Sequence, residues 1–288
     1  KIKRNLEKKW PTKAEQNSSK WSALDCCTKG PILKSELEKN LYVCPSCNIH
    51  HRLSCIQRFD FFFGKNNYQI IDYPIPTEDP IGFPGYKEKL KDAIKKTGQK
   101  SAFMACTGTI NNINVTAIAS NFFFIGGSMG QSESECFMAA IQHAIDNQQA
   151  VINFTTGGGI RLYENLVGLS QMTRTTLAVN MLKKNNLAYI NVLCDPTSGG
   201  QAASYAMLGD LNIAEPNAIV AFAGARVIKS TVNEELPSGF QRSEYVLKTG
   251  FLDLVLQRSE LKEKIGSLLS ILLHKNYVTK KELANETS

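Results

Sequence analysis

The sequence predicts an α/β protein with a small cysteine-rich module near its N-terminal end. Three observations carry this prediction. Two glycine turns, Thr155-Thr156-Gly157-Gly158-Gly159-Ile160-Arg161 and Pro196-Thr197-Ser198-Gly199-Gly200, each follow a short apolar strand, residues 150–154 and 188–194, and lead into helix-like sequence. Around them β-branched runs alternate with stretches of helical periodicity. Five of the eight cysteines, Cys26, Cys27, Cys44, Cys47 and Cys55, crowd into the first quarter of the chain.

In chain order, residues 1–20 read as a disordered basic tail, rich in Lys, Glu, Gln and Asn with almost no apolar periodicity. Residues 21–65 form a Cys/His-rich module. Pro74, Pro76, Pro80 and Pro84 then force extended backbone and mark a junction, so that residues 66–288 make up the second domain. Residues 86–97 predict a short basic helix ended by Gly98. Residues 107–110 and 113–119 predict a hairpin over Asn111-Asn112. Cys136, Phe137, Ala140, Ile141 and Ala144 give helical spacing over 132–145, and Leu162, Leu166, Leu169, Met172 and Leu177 repeat it after the first glycine turn. Residues 218–222 read as a further buried strand, and Leu261, Ile265, Leu268, Leu269 and Leu272 line a C-terminal helix. No internal repeat is visible.

Composition excludes some function classes. Of 288 residues 43% are hydrophobic and 20% charged, the balance of a globular protein. No apolar run approaches the roughly 20 residues that a membrane span needs. The first residues lack the apolar core of a signal peptide, and Lys1 in place of methionine reads as a processed or trimmed start. A net charge of +7, spread along the chain, does not by itself argue for nucleic acid and suits a phosphate-bearing ligand equally well. Without a secretory signal the thiols are expected reduced; Cys106, Cys136 and Cys194, each in apolar surroundings, read as core residues.

Cys44-Pro45-Ser46-Cys47 is a CxxC knuckle, and Cys27 lies 17 residues before it, a spacing that fits a four-cysteine zinc ribbon. Four soft ligands around one metal would replace the core that so short a segment cannot build. The upstream half, Leu24-Asp25-Cys26-Cys27, is irregular, because adjacent side chains point apart. Three arrangements stay open: Cys26 and Cys27 both bind with Cys44 and Cys47, or His50 or His51 supplies a fourth ligand, or the metal has been lost. A zinc held here would be structural, since a catalytic metal keeps an open position.

The motifs add up to a resemblance. Asn121-Phe122-Phe123-Phe124-Ile125-Gly126-Gly127-Ser128-Met129-Gly130 is similar to the "F-x-F-M-GGSMG" signature of the β subunits of the acetyl-coenzyme A carboxylase carboxyltransferase. Gly158-Gly159-Ile160-Arg161 with Glu164, then Leu169-Ser170-Gln171-Met172, then Pro196-Thr197-Ser198-Gly199-Gly200 with Ala203-Ser204 and Met207-Leu208-Gly209-Asp210 follow in the family's order. Trp21, Asn40-Leu41, Cys44-Pro45, Cys47, His50 and Arg52 resemble its zinc-ribbon segment. The resemblance runs from Trp21 to about residue 273. Departures are Leu24 for the family's first zinc cysteine, Cys26 without a counterpart, Gly157 for a serine, Ile160 for an alanine, Leu162-Tyr163 for Met-Gln, and Ser134-Glu135 for Gly-Glu.

The resemblance implies a crotonase-like (ClpP/crotonase) fold of repeated ββα units. It also implies transfer of a carboxyl group from carboxybiotin, held on a biotin carrier protein, to acetyl-coenzyme A, giving malonyl-coenzyme A in the committed step of fatty acid synthesis. Partners would be an α subunit, in an α2β2 heterotetramer, the carrier protein and a biotin carboxylase; nucleic acid is not expected. The residues suit that chemistry, because backbone N–H groups at a strand–glycine–helix junction can hold a thioester oxygen as it gains enolate charge. Gly158 and Gly159 are the expected donors, with Gly199 and Gly200 shaping the adjacent thioester site. Gly126, Gly127 and Gly130 would pack near the pantetheine arm, and Arg161 and Arg226 could meet the coenzyme. Arg161 with Glu164 could equally be an ion pair holding one helical face. None of the four histidines falls at a glycine turn, which fits the released biotin acting as base, as the family implies.

Two rival readings stand beside this one. A hydratase or decarboxylase of the same fold would want a carboxylate at the first glycine turn, and only Glu164 is near. A catalytically silent ribbon-and-crotonase scaffold, or a nucleic-acid-binding protein, would use Lys29, Lys34, Lys39 and Arg52, but no aromatic stacking series lies between them. The family lives in bacterial cytoplasm and plastid stroma; the departures and Lys/Asn-rich composition lean towards the plastid.

Overall fold

The structure, a computed structural model, describes residues 21–22, 26, 31–76, 79–232 and 237–273. The tail expected over 1–20, Leu24 and Cys27 lie outside the described residues. The chain divides into two compact units, Lys1–His51 and Arg52–Ser288.

In the first unit, strand β1 (Trp21–Ser22) pairs antiparallel with β2 (Ile32–Leu33), which runs into the helix Lys34–Lys39. The knuckle follows: the Cys44 N–H donates to the Ile49 carbonyl at 2.9 Å and the Asn48 N–H to the Cys44 carbonyl at 2.8 Å. Val43 and His50 bridge across its base.

The second unit begins with the helix Cys55–Phe63, started by a capping box in which Ser54 and Gln57 exchange side-chain and backbone hydrogen bonds. Sequence alone assigns this segment to the cysteine module, with a boundary after residue 65. Its phenylalanines have no core there. Phe59, Phe62 and Phe63 instead bury against the sheet of the second unit, and Arg58 joins Arg258 around the buried Glu215 carboxylate.

That sheet has eight strands: β3 (Tyr68–Ile70), β4 (Phe103–Ile110), β5 (Ile113–Ser120), β6 (Ala150–Gly157), β7 (Tyr189–Ser198), β8 (Leu211–Ala214) and β10 (Leu254–Val255) in spatial sequence, with β9 (Val220–Ala221) beside the end of β7. β3, β4 and β5 pair antiparallel; from β5 to β10 the pairing is parallel. Asn111 and Asn112, at φ 46° and 62°, supply the left-handed turn that a two-residue hairpin requires. β6 is buried at every position, as a strand covered on both faces must be.

Alternation along β5 sorts the core into two. Ile118 joins Phe103, Phe137, Ile141, Val179 and Tyr205 beneath the helices Tyr86–Thr97, Gln131–Asp146 and Asn165–Lys184. Val115, Ala117 and Ala119 join Phe59, Phe154, Ile190 and Leu269 beneath Cys55–Phe63 and Leu261–Leu272. The parallel strands β6 and β7 therefore end side by side, and both glycine turns emerge at their carboxyl ends, where open α/β sheets place their ligands.

Candidate functional site

The structure brings three glycine loops into one junction. β6 and β7 break register between Thr155 and Gly157, so Gly157 faces Thr197, and the Thr197 hydroxyl donates to the Thr155 carbonyl at 2.9 Å. The first loop packs on the first turn: Met129 N–H donates to the Gly159 carbonyl at 2.9 Å, Arg161 N–H to the Met129 carbonyl at 2.7 Å, and Gly158 N–H to the Gly126 carbonyl at 3.0 Å. Gln201, fully buried, ties in the second turn by donating to the Gly127 carbonyl at 2.7 Å. Periodicity gives no hint of Gln201; its place beside Gly199-Gly200 was the only available signal.

The two turns touch. A methyl group built on Gly159, whose φ is +112°, would lie 3.3 Å from the Gly200 nitrogen, and one on Gly199 would lie 3.1 Å from the Gly159 Cα. A side chain on Gly200 would overlap Ile160. Glycine is required here because backbone passes against backbone. The donor assignment changes in consequence. Gly158 was expected to offer its N–H, but that group is engaged by Gly126, and Gly199 N–H is shared between the Ala221 and Phe222 carbonyls. Among the described residues, the N–H groups of Gly159 and Gly200 have no hydrogen-bond partner. Each turn thus offers at least one free donor, and the Ile160 N–H beside Gly159 is likewise without a partner.

Arg161 does not stand at this junction as an open cation. Its side chain is 2% exposed, and four of its five N–H donors are taken: Nε by the Ser128 hydroxyl at 2.7 Å, one on Nη1 by Tyr86 Oη at 2.8 Å, and both on Nη2 by the Ser128 carbonyl at 2.6 Å and Glu133 Oε1 at 2.8 Å. Burial works against its charge, but Glu133, Tyr86 and Glu164 together more than offset this, so the guanidinium holds its proton more firmly than usual. Arg161, expected to meet the coenzyme, clamps these loops together in the structure. Glu133 is the hub the sequence reading missed. It also accepts from the Ala102 and Gly130 N–H groups, each at 2.8 Å. Its signal was its position three residues into a helix that begins at a glycine. The adjoining cavity, about 170 Å3 and lined in part by Tyr86, Phe124 and Arg161, is too small for a coenzyme A thioester.

Glu164 is turned into the same clamp, accepting from Tyr86 Oη and the Gln131 N–H, each at 2.7 Å. Burial pushes its carboxyl above the ordinary range, against the hydrogen bonds that pull it down. Gly126 and Gly127 adopt the left-handed conformation; a side chain on Gly127 would strike the Thr156 carbonyl and one on Gly130 the Glu164 carboxylate, so these two serve close packing, while Gly126 faces open space and serves the turn. Arg226 lies in the helix Ala225–Val232, which begins shortly after the Phe222 carbonyl that holds Gly199; its side chain is outside the described residues.

In the cysteine unit, Cys26, Cys44 and Cys47 bring their sulfurs within 4.8 Å of one another. Burial opposes a thiolate at Cys44, yet the N–H groups of Ser46 and Cys47 bring its pKa down to about 7. Such a set fits a soft cation such as zinc. Cys27, expected as a fourth ligand, lies outside the described residues.

Apolar side chains also stand in the open beside the first turn. Leu162, Leu166, Leu169 and Leu177 are 84%, 73%, 53% and 55% exposed, and Met181 continues the line along the helix Asn165–Lys184. The helical periodicity of the sequence is present, but these leucines face away from the core. Among the described residues no helix is long and apolar enough to cross a membrane.

The carboxyl transferase domain family matches residues 77–242. The chain is 60% identical, over 96% of its length and 89% of the relative's, to the acetyl-coenzyme A carboxylase carboxyl transferase subunit beta of Pelagibacter ubique (strain HTCC1062). Among solved structures, transcarboxylase 12S, a hexamer solved with methylmalonyl-coenzyme A and methylmalonic acid bound, superposes with a TM-score of 0.65 at 19% identity. That match covers 82% of this chain and 43% of the transcarboxylase chain, less than half its length. The Pseudomonas malonate decarboxylase MdcD–MdcE heterodimer gives 0.58 at 16% identity, over 82% of this chain and 92% of that one. These neighbours share the crotonase-like fold.

Proposed function

This chain belongs to the acetyl-coenzyme A carboxylase carboxyl transferase β-subunit family and is a carboxyltransferase, and from that premise we propose that its glycine junction activates the acetyl thioester for carboxylation. The observation that carries the proposal is the pair of unpartnered N–H groups, Gly159 and Gly200, one on each of two turns in contact.

Loss of a proton from the acetyl methyl group places negative charge on the thioester oxygen. Two fixed backbone donors favour that charge without titrating, and losing one costs on the order of 3 kcal/mol in the transition state. The Gly158 N–H fixes the first turn to Gly126, and the Gly199 N–H fixes the second turn to Ala221 and Phe222. Gly127 and Gly130 let the first loop approach them, and Arg226 would meet the coenzyme phosphates. Carboxybiotin, arriving on a separate carrier protein after charging by a biotin carboxylase, would supply the carboxyl group. Glu164, the carboxylate expected nearest the turn, is not free, because it is held by Tyr86, Gln131 and Arg161. That disfavours a hydratase-like proton path.

The partner is an α subunit, with the α2β2 heterotetramer as the assembly. The exposed leucine line from Leu162 to Leu177 starts one helical turn from the glycines, so a partner covering it would also roof the site. A bacterial relative at this identity favours the bacterial cytoplasm over the plastid stroma.

The test is the reverse reaction: the chain assembled with its α subunit, given malonyl-coenzyme A and a biotin derivative, should form acetyl-coenzyme A. An assembled complex that binds coenzyme A but turns nothing over would leave only a silent scaffold.

A further inference from the structure

We infer that Gln201 is a positioning residue for the carboxyl transfer: its side chain sets the spacing of the unpartnered Gly159 and Gly200 N–H donors. The inference rests on the reading of those donors as the site that holds the thioester oxygen. Gln201 follows Gly200 directly, and its main chain is fixed on the second turn, its carbonyl accepting from the Ser204 and Ala206 N–H groups, each at 3.2 Å. Its side chain crosses to the first loop and donates to the Gly127 carbonyl at 2.7 Å. The neighbouring Gly126 carbonyl accepts from the Gly158 N–H at 3.0 Å, one residue before Gly159. The amide thus links one donor to the other through the first loop. Ser198 also ties the turns, donating to the Gly157 carbonyl at 3.3 Å, but it joins residues that precede both donors.

Gly157 shows that room is kept for this amide. It ends β6 without a positive φ, so its backbone does not require glycine. A side chain there would lie 2.6 Å from both the nitrogen and the oxygen of the Gln201 amide, and 2.5 Å from the Gly127 carbonyl oxygen. The amide also stands where stability alone would not put it. Gln201 is fully buried, and among the described residues its Oε1 has no hydrogen-bond partner. The Gly127 carbonyl turns the amide nitrogen towards itself and leaves that oxygen stranded. A buried acceptor left unpaired opposes folding, so the amide contributes little net stability. What it supplies is a fixed distance, and misplacing reacting groups by about 1 Å can cost about 100-fold in rate.

Gln201→Met tests this in the chain assembled with its α subunit, with malonyl-coenzyme A decarboxylation as the assay. Methionine keeps the length and volume, cannot donate to Gly127, and removes the stranded oxygen. The kcat should fall about tenfold or more with KM held within about twofold, because the donors act on charge that develops in the transition state. The melting temperature should stay within a few degrees of the parent's. A kcat equal to the parent's would overturn the inference; so would loss of folding or assembly, which would make Gln201 a packing residue. A second measurement ties it to the donors. In the Gly159→Val background the same change should cost less than about threefold, and a loss of about tenfold there would also refute the assignment. The underlying reading fails separately, through a parent complex without turnover or a Gly159→Val complex as active as the parent.

Discussion

Arg161 and Glu133 meet at 2.8 Å with neither side chain reaching solvent, joining the first glycine turn to the start of the helix Gln131–Asp146. Tyr86, Ser128 and Glu164 complete the cage. The pair holds the loop that carries Gly126 and Gly127 against the turn that carries Gly158 and Gly159.

Removing one member leaves the other charged and buried. Glu133→Ala should therefore destabilise the chain by about 3–5 kcal/mol in urea unfolding. Replacing both, as Glu133→Gln with Arg161→Met, should cost much less than the sum of the single changes. Additive losses would show that the two side chains act separately.

Gly159→Val introduces a β-branched side chain at φ +112°, directly against Gly200. Malonyl-coenzyme A decarboxylation by the assembled enzyme should fall about 100-fold or more, a donor-sized loss. Gly158→Ala meets nothing nearer than the Gly126 carbonyl, at 3.9 Å, and should lose far less. Equal losses at the two positions would remove the case for Gly159 as donor.

Gly200→Ala brings a methyl group into Ile160, and the same methyl would lie 3.0 Å from Met172 Sδ. Adding Ile160→Ala should recover most of the lost melting temperature, because the nearest obstruction is that one side chain. Failure of the second change to help would place the strain in the backbone.

Glu164 has a raised pKa in the folded chain, burial being the first cause. The sign follows from linkage: the folded state binds this proton more tightly than the unfolded state. Its contribution is therefore full below the unfolded value near 4.5 and is lost as pH rises through the folded value. Glu164→Gln lacks this loss. Its melting temperature relative to the parent should climb as pH rises above 4.5, and a flat difference would contradict the burial argument.

Leu166→Glu and Leu169→Glu should abolish co-purification with the α subunit while leaving the melting temperature of the β chain alone within a few degrees. Both leucines are more than half exposed, so little of the core depends on them. A complex that survives both changes would move the partner elsewhere.

Much of this architecture was legible in the chain. The Asn111-Asn112 hairpin, the helix ended by Gly98 and the strands before both glycine turns all announce themselves locally, through turn chemistry and period. The leucines after the first turn show where periodicity stops informing: it marks one face of a helix without saying what covers it, and here nothing among the described residues does. Cys55–Phe63 was assigned to the wrong neighbour for the same reason, since burial against a distant sheet leaves no local mark. Arg161 kept its expected ion-pairing character but took Glu133 as well as Glu164, a partner 28 residues upstream that helical spacing cannot suggest. The engagement of Gly158 by Gly126 depends on two loops meeting in space, which no glycine count reveals.

The uncovered leucine line also sets a rule of supply. A copy of this chain made without its partner would carry an exposed adhesive strip, of the kind that chaperones and proteases would read as a mark of unfinished assembly. Surplus copies would be cleared or clump, holding the two subunits to matched numbers whatever their genes produce. Pulse-labelling cells that overproduce this chain alone should show a shortened lifetime, restored by co-producing the partner or by Leu166→Glu; an unchanged lifetime would mean the strip goes unnoticed.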